Sequence, residues 1–350
     1  MSRFFGFLQI EITEDNFMIF LSLHGSWYDV GYQHGEKLKC LIHSAIRKYC
    51  RFFSVKQSPN KEVLWKHAET LQADFPELME EMKGIADGAG CSIEDILIYN
   101  LSPLLSSCSN LVFVCNGEPM LGHINDDSSA GVFDVAFHIF PNRGSELLYI
   151  GLAGSVGVGA AINSEGLAIS HACARSEGLK NINTVLSLSL LRRVLINRSR
   201  NCQEAESFLL NHSFVSGADN IIGVNKAGAA FVAEKLPIAV EFRHPDRGVI
   251  YCTGRSLTSK IRRIVNQEVY EKKAPEIRKL IAREQYFDST LTEHMNNLSL
   301  ELMKKILCCT EEGIEICNEL SNWAAILLPK RFEMLIADRF PCNNIFKRFT

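Results

Sequence analysis

The apolar pattern of this 350-residue chain changes period near Asn110, from the 3.6 of a helix to the 2 of a strand, and that switch limits its fold more than any other feature. Ahead of it, a short strand at residues 17–23 is followed by residues 36–53, which place Leu38, Ile42, Ala45, Ile46 and Tyr49 on one helical face. Pro76 suits the first turn of a second helix that runs through Leu78, Met82 and Ile85 and stops at Gly88-Ala89-Gly90. A capping box, Ser92-Ile-Glu-Asp95, starts a third ahead of Ile96, Leu97 and Leu101. Beyond the switch, residues 111–115 and 120–123 read as the arms of a hairpin around Asn116-Gly117. Strands follow at 132–140, 146–152, 156–162 and 167–173, and again at 219–224, 229–234, 238–242 and 249–252. Two helices within residues 184–212 interrupt them, the second opened by Asn201, and a helical region at 259–317 precedes a short strand-like tail. Blocks of helices around antiparallel hairpins predict an α+β fold, with sheets covered by helices on their outer faces. With no repeat, low-complexity tract or linker, residues 1–350 read as a single domain.

Composition narrows the function classes. The chain is 47% apolar and 22% charged, as soluble globular proteins are. Thirty-seven basic against forty acidic residues leave a net charge of −3, and the longest cationic stretch is only Lys260-Ile-Arg-Arg263 on a helix face, so no nucleic-acid partner is expected. The apolar start, Met1 to Ile10, runs into Glu11, Glu14 and Asp15 without a cleavage site, and no stretch reaches the ~18–20 apolar residues of a membrane span. A cytoplasmic protein without a membrane partner is expected. The twelve cysteines form no Cys-x-x-Cys pair and no zinc-finger spacing, so buried thiols are expected and no metal. No phosphate-binding loop or dinucleotide fingerprint calls for a cofactor.

Chemistry concentrates at Ser107-Cys108-Ser109-Asn110, where the helical segment hands over to the first strand of the hairpin. Cys108 is there either a nucleophile or a buried thiol at a strand start. Asp126, just past the return strand in Gly122-His-Ile-Asn-Asp-Asp127, is folded back beside it by the two-residue turn, so a thiol and a carboxylate become neighbours. Asp126 can equally cap a turn.

Several motifs in order resemble the acyl-coenzyme A:6-aminopenicillanic acid acyltransferase family: Gly25-Ser-Trp-Tyr-Asp-Val-Gly-Tyr-Gln-His-Gly35; residues 76–90 with Glu94-Asp95; Cys108 with Gly122-His-Ile-Asn-Asp126; and Gly151-Leu-Ala-Gly154 with Ala161-Ile-Asn-Ser-Glu-Gly-Leu-Ala168. Leu191-Arg-Arg-Val-Leu195, Ala218-Asp-Asn220, Ser259-Lys-Ile-Arg262 and Phe340-Pro-Cys342 continue the series. The resemblance implies an N-terminal-nucleophile hydrolase-like four-layer αββα sandwich and a self-cleavage between Ser107 and Cys108 into residues 1–107 and 108–350, which stay together as a heterodimer. It implies Cys108 as nucleophile, with its new α-amine as base; Asp126 holding that amine; Asn220 donating to the oxyanion; and Arg262 stabilising charge near the thiolate. The implied substrate is a small N-acyl amide passed through a thioester to water, or an acyl thioester such as acyl-CoA passed to an amine, with no other cofactor.

Three departures stand out. Ser107 replaces the Gly usual before the nucleophile, Ile124 replaces an Asn before Asn125-Asp126, and Gly254-Arg255 replaces an Asn-His pair after Thr253. Two competing readings follow. One is an unprocessed Cys-His enzyme using His123 or His34 as base. The other is a non-catalytic ligand-binding relative.

Overall fold

Asn116 and Gly117 adopt φ values of 51° and 74°, the two left-handed residues that a tight hairpin turn of right-handed twist requires. They join β2 (Ser107–Cys115) to β3 (Glu118–Asp126) in the register Ser107↔Asp126, Cys108↔Asn125 and Asn110↔His123. The structure, a computed structural model, describes residues 18–54, 61–101, 107–126, 133–174, 187–212, 217–266, 271, 276–343 and 345–350. The apolar start at Met1 to Ile10, the strand ends read at Phe17 and Val132, and the helix start read at Thr184 lie outside the described residues. Two compact units divide the chain: 1–100 with 132–146 and 150–156, and 101–131 with 147–149 and 157–350.

In the first unit β1 (Ile19–Gly25) runs parallel to β4 (Asp134–Pro141), and α1 (Trp27–Lys37), α2 (Lys39–Ser54), α3 (Lys61–Asp74), α4 (Pro76–Ala89) and α5 (Ile93–Leu101, its last residue in the second unit) supply the helices. Helix α1 begins on a capping box between Ser26 and Asp29 and covers residues read above only as a glycine-rich motif. The glycines have a steric reason. A Cβ on Gly31 would fall on the Glu81 carbonyl oxygen and one on Gly84 on that of Tyr28, so α1 and α4 meet backbone to backbone. The strand read at 156–162 is shorter than expected. The Gly154 N–H donates to His34 Nε2 (2.9 Å) and the Val156 N–H to Asn100 Oδ1 (2.8 Å), so side chains take the bonds a partner strand would have made.

The second unit contains the sandwich. One sheet has the order β11 (Val249–Cys252), β2, β3, β12 (Ser321–Leu328), β13 (Glu333–Asp338), β14 (Lys347–Phe349). Opposite it lie β6 (Ala160–Asn163), β7 (Leu167–Ala174), β8 (Ala218–Asn225), β9 (Ala230–Leu236) and β10 (Ala239–Arg243), with β5 (Leu147–Leu152) shared between the units. Helices α6 (Leu188–Arg198) and α7 (Cys202–Asn211) pack on the β6–β10 side; α9 (Glu276–Glu293) and α10 (Leu300–Leu307) pack on the other; and α8 (Ser259–Ile264) follows β11. This is the expected αββα order. The tail is longer than expected. Its run from Trp323 to Leu328 is buried throughout, and so lacks the alternation that marks a half-exposed strand. Strand β12 is therefore a central strand, hydrogen-bonded between β3 and β13. Leu111, Phe113, Met120 and Ile124 form a core with Phe287, Leu291, Met303, Ile306 and Leu307 of α9 and α10. No described helix is long and apolar enough to cross a membrane.

Candidate active site

Side chains alternate along a strand, so the hairpin register sorts this region into two faces. Cys108 and Asn110, with Asn125 and His123 opposite them, share one face; Ser109 and Leu111, with Ile124 and Asp126, share the other. The first is the interior of the sandwich: Asn110 Nδ2 donates to the His171 carbonyl of β7 (2.8 Å), and His123 Nδ1 lies 2.7 Å from Ser170 Oγ. The second faces α9 and α10.

Cys108 is buried and its thiol donates to Asn125 Oδ1 at 3.4 Å. Asp126 pairs with Ser107, not Cys108, and its carboxylate projects away from the thiol. The expectation of a neighbouring thiol and carboxylate is corrected accordingly: the period of 2 separates their side chains, and what Asp126 faces across the hairpin is residue 107 at the bond before Cys108. Asp126 Oδ1 accepts from Ser321 Oγ (2.6 Å), and Oδ2 accepts from Arg283 Nη1 (2.9 Å) and Asn318 Nδ2 (3.1 Å). A bulge in β12 between Ser321 and Trp323 aligns that serine with Asp126. Burial pushes the Asp126 carboxyl above its ordinary value, against the pull of Arg283 and the two neutral donors.

Arg283, Asn318 and Ser321 are absent from the sequence reading. A signal for Arg283 exists: it and Glu284 fall on the apolar stripe of α9 beside Leu280 and Phe287, where a charged residue is buried only if it is paired. Arg283 also donates to Ser109 Oγ (3.1 Å) and to the carbonyls of Ile314 and Glu315. Asn125 is overlooked because the resemblance directs attention to position 124. Ile124 belongs to the helix-side core, and it is Asn125 that faces Cys108.

Asn220 reaches the turn after β11. Its Nδ2 donates to the carbonyls of Thr253 (2.8 Å) and Arg255 (2.9 Å), which uses both of its N–H groups, while its Oδ1 is buried without a partner. Gly254 in that turn admits no ordinary side chain, since a Cβ would lie 2.9 Å from the Cys173 carbonyl. Arg255 pairs with Glu284 (2.6 Å) and Glu271 (2.6 Å). Arg262 shares Glu271 (3.1 Å) and donates to the Ser256 carbonyl (3.4 Å), so its bonds do not run to Cys108.

His123 is not placed as a base for Cys108. His34 Nε2 accepts the Gly154 N–H within the first unit. Because Asn110 Nδ2 is spent as a donor, its Oδ1 takes the proton of His123 Nδ1 (2.7 Å), which leaves Nε2 bare, buried and without a hydrogen bond. Burial, followed by the charges of His171 and Arg192, holds His123 well below the usual imidazole value.

His171 Nδ1, Cys173 Sγ and an Asp219 oxygen lie within 4.8 Å of one another and supply metal-ligand atom types. Yet Arg192 Nη1 already sits 2.5 Å from Asp219 Oδ2 in the same buried space. Burial and Arg192 lower the His171 value but Asp219 more than offsets them, so the imidazole is raised and favours its proton. The Arg192 guanidinium on this carboxylate, and an imidazole shifted toward its protonated form, weigh against a divalent ion, whose ligands must be deprotonated.

Residues 115–322 match the family described as acyl-coenzyme A:6-aminopenicillanic acid acyl-transferase. No curated protein matches the chain. Among solved structures, the Caenorhabditis elegans ortholog of N-acylethanolamine-hydrolyzing acid amidase is similar at 13% identity and a TM-score of 0.47, over 64% of this chain and 93% of that one. A mutant of conjugated bile acid hydrolase from Clostridium perfringens gives 10% and 0.47, over 69% and 96%. Penicillin V acylase from Agrobacterium tumefaciens gives 12% and 0.43, over 66% and 83%.

Proposed function

The chain belongs to the acyl-coenzyme A:6-aminopenicillanic acid acyl-transferase family, and on that premise we propose that it is a self-processing cysteine enzyme that hydrolyses a small N-acyl amide through a thioester on Cys108. The observation that carries this reading is the hairpin register, which sets Cys108 at the buried start of β2 with its thiol on Asn125 and sets Asp126 opposite residue 107.

In the precursor the Cys108 thiolate attacks the Ser107 carbonyl carbon. The C–N bond breaks, the nitrogen takes a proton, and the acyl group of Ser107 moves to sulfur. Water then releases residues 1–107 and leaves Cys108 with an α-amine, whose ordinary pKa of about 7.7–8.0 suits a base at neutral pH. Adjacent strands lie about 4.8 Å apart, which brings Asp126 within reach of that amine once residue 107 is gone. In turnover the amine accepts the thiol proton, sulfur adds to the substrate carbonyl, and the oxyanion collapses as the leaving amine takes the proton back. Water resolves the thioester; an amine in its place gives acyl transfer with the same residues, and an acyl-CoA enters as a donor substrate. The mechanism calls on no metal. In it Asn220 serves the oxyanion by exchanging its bond to the Thr253 or Arg255 carbonyl, and Arg262 acts through Glu271. The two cleaved chains remain associated.

Intact mass under denaturing conditions tests this directly. Wild type is expected to give fragments of about 12 and 27 kDa, in proportion to 107 and 243 of the 350 residues of a 39.3 kDa chain, and Cys108→Ala only the full chain. Wild type remaining at full length would remove the N-terminal amine and the mechanism with it.

A further inference from the structure

We propose that Asn125 donates its side-chain N–H to the oxyanion formed at Cys108, a role that rests on the thioester reading above. Three observations converge on it. Asn125 is the direct cross-strand partner of Cys108 on the interior face, and its Oδ1 accepts the thiol proton at 3.4 Å. That bond orients the amide, and it leaves Nδ2 with no hydrogen-bond partner among the described residues, while the residue as a whole keeps a small exposed fraction of 8%. Asn220, by contrast, has spent both N–H groups on main-chain carbonyls. On its other side Asn125 is paired with Trp323 of β12.

The chemistry follows from the amide's two ends. Before attack, Oδ1 holds the S–H. As the proton passes to the α-amine and sulfur adds to an acyl carbonyl, Oδ1 loses its donor and the carbonyl oxygen gains a negative charge next to sulfur. A free N–H on the same amide is then worth most in the transition state, where charge develops. Ile124, where the family pattern has a polar residue, packs among α9 and α10 side chains, so the polar group near the thiol is at position 125.

Two reagents separate an oxyanion donor from a residue that merely seats the thiol. p-Nitrophenyl acetate acylates Cys108 by addition to a carbonyl, with p-nitrophenolate leaving and an acetyl thioester remaining on sulfur. Iodoacetamide alkylates the same sulfur by displacing iodide, with no oxyanion. Rates are read as mass adducts on the 108–350 fragment of cleaved protein. Asn125→Ala and Asn125→Leu, which keeps the bulk without a charge or a donor, are expected to slow acetylation by about 10²-fold or more and to leave alkylation largely unchanged. Equal loss in both reactions would assign Asn125 to seating the thiol and overturn the proposal, as would unchanged acetylation. Loss of acetylation in Asn220→Ala but not in Asn125→Ala would leave the oxyanion to Asn220 alone and overturn the proposal. If a variant does not cleave, residues 1–107 and 108–350 are co-expressed as separate chains, so that Cys108 carries its α-amine without processing, and the same pair of rates is read against wild type prepared in that way, where loss of acetylation alone supports the proposal and equal loss of both overturns it. Wild-type fragment that takes no acetyl group on Cys108 would sink the thioester reading itself, and the proposal with it; acetylated wild type beside equally acetylated variants sinks the proposal alone.

Discussion

The two faces of the β2–β3 hairpin treat polar groups in opposite ways. On the helix side, both Asp126 oxygens are bonded, and Arg283 ties Asp126 and Ser109 to the carbonyls of Ile314 and Glu315. On the interior side, three buried atoms have no partner among the described residues: His123 Nε2, Trp323 Nε1 and Asn220 Oδ1. The Asn125 amide also keeps a donor unspent among the described residues. Buried polar groups ordinarily find partners, and exceptions gather where a ligand or transition state supplies what is missing. The helix face thus ties down the hairpin end, and the interior face carries polar groups that a bound molecule could meet.

The sharpest way to break this contrast is to cut the clamp. Arg283→Met leaves Asp126 buried without its cation, and the expected loss is about 3–5 kcal/mol in denaturant-induced unfolding. A loss below about 1 kcal/mol would put the pair in the class of surface ion pairs and remove the distinction between the faces. Ile124→Asn comes next. It restores the family's polar residue, but on a face packed by Phe287, Met303 and Leu307, so we expect about 3 kcal/mol of destabilisation from lost packing and an unpaired amide. Little loss of stability together with faster acylation of Cys108 would mean that position 124 reaches the thiol after all.

His123 tests the interior face through pH. Unfolded, its imidazole takes a proton below about 6.5; folded, burial keeps it neutral far below that. The unfolded state therefore binds more protons, and stability present above 6.5 is lost as pH falls, at about 1.4 kcal/mol per pH unit, until the folded value is reached. His123→Gln should remove that component from the acid limb of a stability profile. An unchanged slope would mean that the ring does not stay neutral in the folded protein.

Much of this arrangement is legible in the sequence. The change of period at Asn110 and the Asn116-Gly117 turn fix β2 and β3, and with them the register that sets residue 107 against Asp126. Helix α1 is hidden by its glycines, which lower helix propensity and are explained only by the backbone contact with α4. Strand β12 is hidden because a buried central strand does not alternate. The partners of Asp126 lie 157 to 195 residues away along the chain, and no local pattern carries such a distance. Asn125 is hidden for a different reason: a single-residue shift moves a side chain to the other face of a strand, so a motif aligned by its glycine and aspartate says nothing about which neighbour of Asp126 meets the thiol.

The smallest effect separates the faces most finely. Ser109 and Cys108 are adjacent in sequence and project oppositely, Ser109 accepting from Arg283 at 3.1 Å. Ser109→Ala removes one charge-assisted bond while Arg283 keeps Asp126 and two carbonyls, so we expect a cost of about 1 kcal/mol and no change in the ratio of acylation to alkylation at Cys108. Asn125→Ala gives up only a thiol donor, a weaker bond, and its stability cost should be smaller than that of Ser109→Ala even as acylation collapses. If the order is reversed, with Asn125→Ala the more destabilising and acylation following stability in both variants, then the interior amide is itself part of the clamp, and its unspent N–H records a packing compromise instead of a place kept for substrate.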